Sequence, residues 1–165
     1  MKAITIYQPY ASLIAVKAKN FETRSWYTPY RGTIAIHAAK KRLEDTLKEI
    51  FPDDTTLQVD FVSTMLKLLG DESSLPHGAI IAKAVLVGCH KIEYRHIPNA
   101  PIKLGYWKDS SVFTGKILWC DISEQEQLFG DWSEGRYAWE FANVQREVSP
   151  TPVRGKQGIW NWDDR

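Results

Sequence analysis

The sequence predicts a mixed α+β domain with a closed or nearly closed sheet. Three observations carry this expectation. Strand-like segments stand at both ends of the chain, and charged, helix-favouring segments gather between them. The 165 residues, 44% hydrophobic and 25% charged, fit one domain with enough apolar material for a real core.

Lys2 to Ile6 alternates polar and apolar side chains, as a half-buried strand does. Gln8-Pro9 interrupts it, with Pro9 placed to open a helix over Tyr10 to Ala18. Phe21 to Trp26 reads as extended and Thr28 to Gly32 as a turn. Thr33 to His37 is a second alternating strand with Ile34 and Ile36 on one face. Lys40 to Ile50 favours a helix, which Pro52-Asp53-Asp54 breaks. A second helix follows, with Leu57, Phe61, Met65, Leu68 and Leu69 at helical spacing and Gly70 as its stop. After the polar loop Asp71 to Gly78, the Ile- and Val-rich stretch Ala79 to Ile92 is the longest strand, with a bulge at Gly88. Glu93 to Ser111, with two prolines, a glycine and no clean period, reads as a long loop. Ser123 caps a short helix to Leu128, Gly130 to Gly135 is turn chemistry, and Arg136 to Val148 resumes a strand. Prolines and glycines keep the tail irregular until Ile159 to Trp162. The expectation is one domain over residues 1–165, with a helical insertion at about 40–70 and a loop insertion at about 93–115.

Composition narrows the function classes. The longest apolar runs, Ala79 to Ile81 and Ala84 to Val87, are cut by Lys83 and Gly88 and are too short to span a bilayer. No charged leader precedes an apolar stretch, and two cysteines, Cys89 and Cys120, make neither a disulfide scaffold nor a zinc site. A cytoplasmic setting without membrane contact is the expectation. The net charge of +1 hides an asymmetry: residues 1–42 carry eight Lys or Arg against one acid, Glu22, a net +7 that leaves −6 for the remainder. A basic face on a neutral body points to local anion recognition rather than general polyanion binding.

The chemistry concentrates in Gln8-Pro9-Tyr10-Ala11-Ser12-Leu13-Ile14, the run Lys17-Ala18-Lys19-Asn20-Phe21-Glu22-Thr23-Arg24-Ser25-Trp26, and Tyr30-Arg31-Gly32. On an extended chain Glu22 and Arg24 point to one face, while Phe21, Thr23 and Ser25 face the other. Lys19 precedes the strand and leans towards the same patch. A carboxylate so placed serves as a general base, with Lys19 and Arg24 stabilising negative charge on a carbonyl or phosphate oxygen. The plainer alternative is a structural ion pair, worth little if exposed.

These segments resemble the ASCH family, whose signature is a Gly-x-Lys-x-x-Glu-x-Arg run. Lys19, Glu22 and Arg24 match it, and Lys17 stands where the family has a helix-capping glycine. Phe129 to Ser133, Gly135 to Glu140 and Pro152 to Trp160 look like the bacterial and phage branch. The resemblance implies a small PUA-like β-barrel with helices packed around it. Its implied function is binding of nucleic acid or a nucleoside in a basic cleft. Some members of the family deacetylate N4-acetylcytidine without metal, using a lysine and a threonine from this run and a glutamate elsewhere. Lys19 matches the lysine, but Glu22 stands at the threonine's place, with Thr23 adjacent. Another member is described as a metal-dependent ribonuclease, and others sit within transcription and translation assemblies.

Seven tryptophans are many for this length, and bases stack well on such rings. At least half are expected to be packing residues, with Trp26 and Tyr137 the preferred stackers. Arg31, Arg136, Arg154 and Lys156 are placed to meet phosphates, and Lys40 and Gln157 join the binding set. In Arg154-Gly155-Lys156-Gln157-Gly158 the glycines let backbone approach an oxyanion, although a bland surface turn explains the composition equally well. His37, His77, His90 and His96 lack ligand spacing, so neither a metal nor a cofactor is expected. The leading expectation is a binding module for single-stranded RNA or a modified base, with Lys19, Glu22 and Arg24 as the catalytic set if the domain is instead a hydrolase or ribonuclease. A protein-interaction adaptor is the third reading. Oligomeric state stays open.

Overall fold

The computed structural model describes residues 1–52, 55–95, 103–109 and 117–163. Among these, the order is β1 (Lys2–Ile6), α1 (Tyr10–Ala15), β2 (Phe21–Arg24), β3 (Gly32–Ala38), α2 (Leu43–Ile50), α3 (Thr55–Leu69), β4 (Ala79–Arg95), β5 (Lys103–Asp109), β6 (Ile117–Asp121), α4 (Glu124–Leu128), β7 (Tyr137–Pro152) and β8 (Ile159–Asn161). The α+β class therefore holds. The main strand order is β2-β7-β4-β3-β1-β8, and β5 and β6 extend from the far end of β4. Among the described strand pairs, only β1 and β3 run parallel. No strand pairing joins β2 to β1 or β8 among the described residues, so the ladder is open along one seam. A side chain crosses it instead: Arg24 Nη2 donates to the Thr5 carbonyl at 2.8 Å.

Ile34 and Ile36 do share a face, but the whole stretch from Ile34 to Ala39 is buried, because β3 lies inside the sheet with both faces covered. The long strands β4 and β7 coil through three shifts of register, one of them between Leu86 and Gly88 as expected for a bulge. A Cβ on Gly88 would stand 2.2 Å from His90 Nε2, so that imidazole occupies the space a side chain would need. A second core forms where Leu13 of α1 meets Leu43, Leu47, Phe61, Met65 and Phe129. On α3, Phe61 and Met65 face inward, whereas Leu57 and Leu68 lie exposed, a narrower apolar face than the spacing implied.

Two expectations need correction. The segment from Glu93 onward is not simply a loop: β4 continues to Arg95, and residues 103–109 and 117–121 pair as β5 and β6. Gly105 had read as a loop signal, but a Cβ there would stand 2.5 Å from both the Trp119 ring and the Cys120 carbonyl oxygen. It is a strand glycine that permits close approach. The rest of the expected insertion, with His96, lies outside the described residues, as do Asp53 and Asp54.

The first helix also ends three residues early, at Ala15. Lys17 turns left-handed at φ 63°, its amide donates to Ile14 O, and the Ala18 amide reaches back to Leu13 O. This is the Schellman closure that glycine normally makes without a Cβ penalty. Lys17→Gly is therefore expected to stabilise the fold by roughly 0.5–1 kcal/mol, read as a rise in the denaturant midpoint at constant slope.

Candidate functional site

The seam opens into a cleft of about 780 Å³. One wall is β2 with the loop before β7. Glu22 and Arg24 share a face, with Arg24 Nη2 at 3.1 Å from Glu22 Oε1. Thr23, between them, accepts the Asp131 amide at 3.1 Å. Arg136 ties the loop to the strand: its Nε lies 3.2 Å from Asp131 Oδ2 and its Nη2 donates to Thr23 O at 3.3 Å. Burial raises the Asp131 pKa, but hydrogen bonds from Ser133 and the Arg136 charge outweigh it and hold the carboxyl below its usual range.

The opposite wall is built from the ends of β1 and β3 and the turn between β7 and β8. Gly78 clips three segments together, its amide donating to Ala38 O at 2.8 Å and its carbonyl accepting from Val153 at 3.0 Å. Thr5 Oγ1 donates to Lys156 O at 2.8 Å. Beneath the turn, buried His37 places Nε2 3.0 Å from Val153 O. Burial pushes the His37 pKa down against that hydrogen bond, which favours a neutral ring. A Cβ on Gly155 would lie 2.4 Å from His37 Cε1 and 2.8 Å from Thr5 Oγ1, so the turn rests its backbone directly on these side chains.

The expected trio is divided. Glu22 and Arg24 line the cleft, but Lys19 is 1% exposed and does not. Its Nζ lies 3.8 Å from Glu126 Oε2 and 5.9 Å from the centre of the Tyr10 ring, with no hydrogen-bond partner among the described residues. Burial pulls the Lys19 amine below its ordinary range, opposed by Glu22 and Glu126. Burial likewise raises the Glu126 carboxyl, opposed by Lys19 and by the Asn20 amide, which donates to Oε1 at 2.6 Å. Tyr10 lines the cleft, its phenol raised by burial and then by Glu22 and Asp131.

Of the other expected residues, Trp26, Lys40, Arg136, Arg154, Lys156 and Gln157 line the cleft. Trp26 is 38% exposed and packs edge-on against Trp139 with ring centres 4.6 Å apart. Trp132, Trp139, Trp160 and Trp162 are buried packing residues. Arg31 and Tyr137 lie outside the lining: Arg31 folds onto the carbonyls of Thr28 and Tyr30, and Tyr137 packs against Tyr27. Thr5, Tyr10, His37 and Asp131 line the cleft without having been anticipated. Tyr10 and Asp131 carried a signal, because both stand within motif segments, whereas Thr5 and His37 did not.

Among the described residues, no three His, Cys, Asp or Glu side chains cluster as metal ligands, and no helix is long and apolar enough to cross a membrane. The family model described as the ASCH domain matches residues 4–151. The chain is also 25% identical over 163 residues to human (Homo sapiens) "Activating signal cointegrator 1", and 25% over 162 residues to the mouse (Mus musculus) protein of the same name. Each alignment covers 98% of this chain but 22% of the relative, so the chain spans about a fifth of the length of those proteins.

Proposed function

We propose, from the premise that this chain belongs to the ASCH domain family, that it binds nucleic acid or a nucleoside in the seam between β1 and β2. Single-stranded RNA or a displaced modified base suits a cleft of about 780 Å³ better than a duplex does. On this reading the curled sheet is a PUA-like barrel whose unpaired seam is the binding mouth.

The observation that carries the proposal is the pairing of an exposed indole, Trp26, with a basic lining in one cleft. Bases stack on such rings whatever their sequence, while cations take the backbone. The volume, about 780 Å³, is in the range of sites that enclose small ligands. Metal-independent hydrolysis on the same fold draws on Glu22, which faces the cleft. The burial of Lys19 away from the lining supports binding over turnover.

A screen of acylated and methylated nucleosides and short RNA, with mass detection, separates the two. Glu22→Gln keeps the side chain's shape while removing a base. The expected result is no product from either protein, binding by Glu22→Gln within about threefold of wild type, and an affinity for single strands that falls with salt at a log–log slope of about −2. Product that disappears with Glu22→Gln replaces the binding reading with the hydrolase.

A further inference from the structure

The two walls of the cleft differ in their charge balance. On the β2 wall each cation has its own acid: Arg24 with Glu22, and Arg136 with Asp131. That wall is close to neutral overall and carries the exposed ring of Trp26. On the facing wall Lys40, Arg154 and Lys156 are exposed and have no acidic partner among the described residues.

The fold brings these three cations to one rim. Lys40 lies two residues beyond Ala38 and Arg154 one beyond Val153, and the backbone of Gly78 bonds to both Ala38 and Val153. Lys156 is fixed beside them by the bond from Thr5 to its carbonyl. Like charges held together by backbone repel one another until an anion arrives. Gly155 keeps the turn low over His37 and Thr5, leaving the rim open to the cleft.

We propose that this rim is a phosphate subsite and the Trp26 wall a base subsite, so that the ligand is a nucleotide or a phosphodiester-linked strand rather than a free nucleoside. This rests on the nucleic-acid reading above and assigns an orientation within it. A phosphate accepts charge-assisted hydrogen bonds from lysine and arginine, which are stronger than those a ribose hydroxyl makes with the same groups. The base lies against Trp26, where no surplus charge has to be stripped of water.

The test titrates the four common ribonucleosides, their 5′- and 3′-monophosphates and a short single-stranded RNA into wild type and Lys40→Ala/Lys156→Ala, by calorimetry at low salt. Thermal midpoints check that the double variant is folded, and Lys156→Arg keeps the charge as a second check. In wild type the phosphate is expected to tighten binding about tenfold or more. That ratio should fall to within about twofold in the double variant and persist in Lys156→Arg, with a shallower salt slope for RNA in the double variant. A preference for the monophosphates marks a terminal phosphate, and a preference for the strand marks an internal diester; either supports the subsite. Nucleosides binding as tightly as nucleotides, or a ratio that survives loss of both lysines, overturns the subsite and leaves the nucleic-acid reading intact. Absence of binding by every probe removes both.

Discussion

Glu126→Ala is expected to lower the unfolding free energy by about 3–5 kcal/mol, because it strands the Lys19 amine in the interior without its nearest carboxylate. Lys19 is 1% exposed and its Nζ has no hydrogen bond among the described residues, so bulk solvent does little to offset the loss. At roughly 2–4 °C per kcal/mol for a chain of this size, the thermal midpoint should fall by about 10 °C. Lys19→Met/Glu126→Leu should recover most of the loss, since apolar side chains of similar volume often replace a buried pair at little cost.

The pH dependence has a definite sign. Burial holds the folded-state pKa of Lys19 below its unfolded value. Between those two values the unfolded chain binds more protons, so stability rises with pH. Removing Glu126 takes away one of the carboxylates that oppose the depression and extends the window downward. The raised pKa of Glu126 acts in the same direction: wild type loses stability as pH rises from the unfolded Glu value through the folded one, and the variant has no such loss. The deficit of Glu126→Ala should therefore be larger at about pH 6 than at about pH 9.5, as read by urea unfolding. A deficit independent of pH would show that the pair does not carry the effect.

Gly155→Ala should weaken ligand binding by about tenfold or more and cost about 1–3 kcal/mol of stability. The new methyl group falls 2.4–2.8 Å from the His37 ring and Thr5 Oγ1, which a buried imidazole bonded to Val153 O cannot readily vacate. The turn must lift, breaking the Thr5 bond to Lys156 and scattering the cationic rim. Gly158→Ala is the control, because its φ is +67° but nothing lies within 4 Å of the added carbon. It tests backbone strain alone, and a smaller loss of affinity is expected. Equal losses from the two variants would mean that contact with His37 is irrelevant.

Several parts of this architecture were legible because they obey local rules. Glu22 and Arg24 fell on one face through the strand period, Ser123 capped α4, and the bulge at Gly88 followed from its glycine. The fate of Lys19 was not legible. Its direction depends on the left-handed turn at Lys17, and its carboxylate neighbour, Glu126, lies far along the chain on a different helix. No local period reports such a pairing. Arg31 and Tyr137 fall outside the cleft lining for the related reason that nearness to a motif in sequence is not nearness to the cleft. Gly105 and the tryptophans of β5 and β6 blurred the alternation, so a strand pair read as a loop. Where tertiary contacts decide the outcome, propensity is overruled.

The opening between β1 and β2 is spanned by Arg24, which grips the Thr5 carbonyl from the far side. The aperture is thereby gauged by the reach of one guanidinium rather than by the fixed spacing of a strand ladder. Trimming that side chain would alter the shape of the whole mouth as well as deleting a charge, coupling what the domain admits to the length of a single strut.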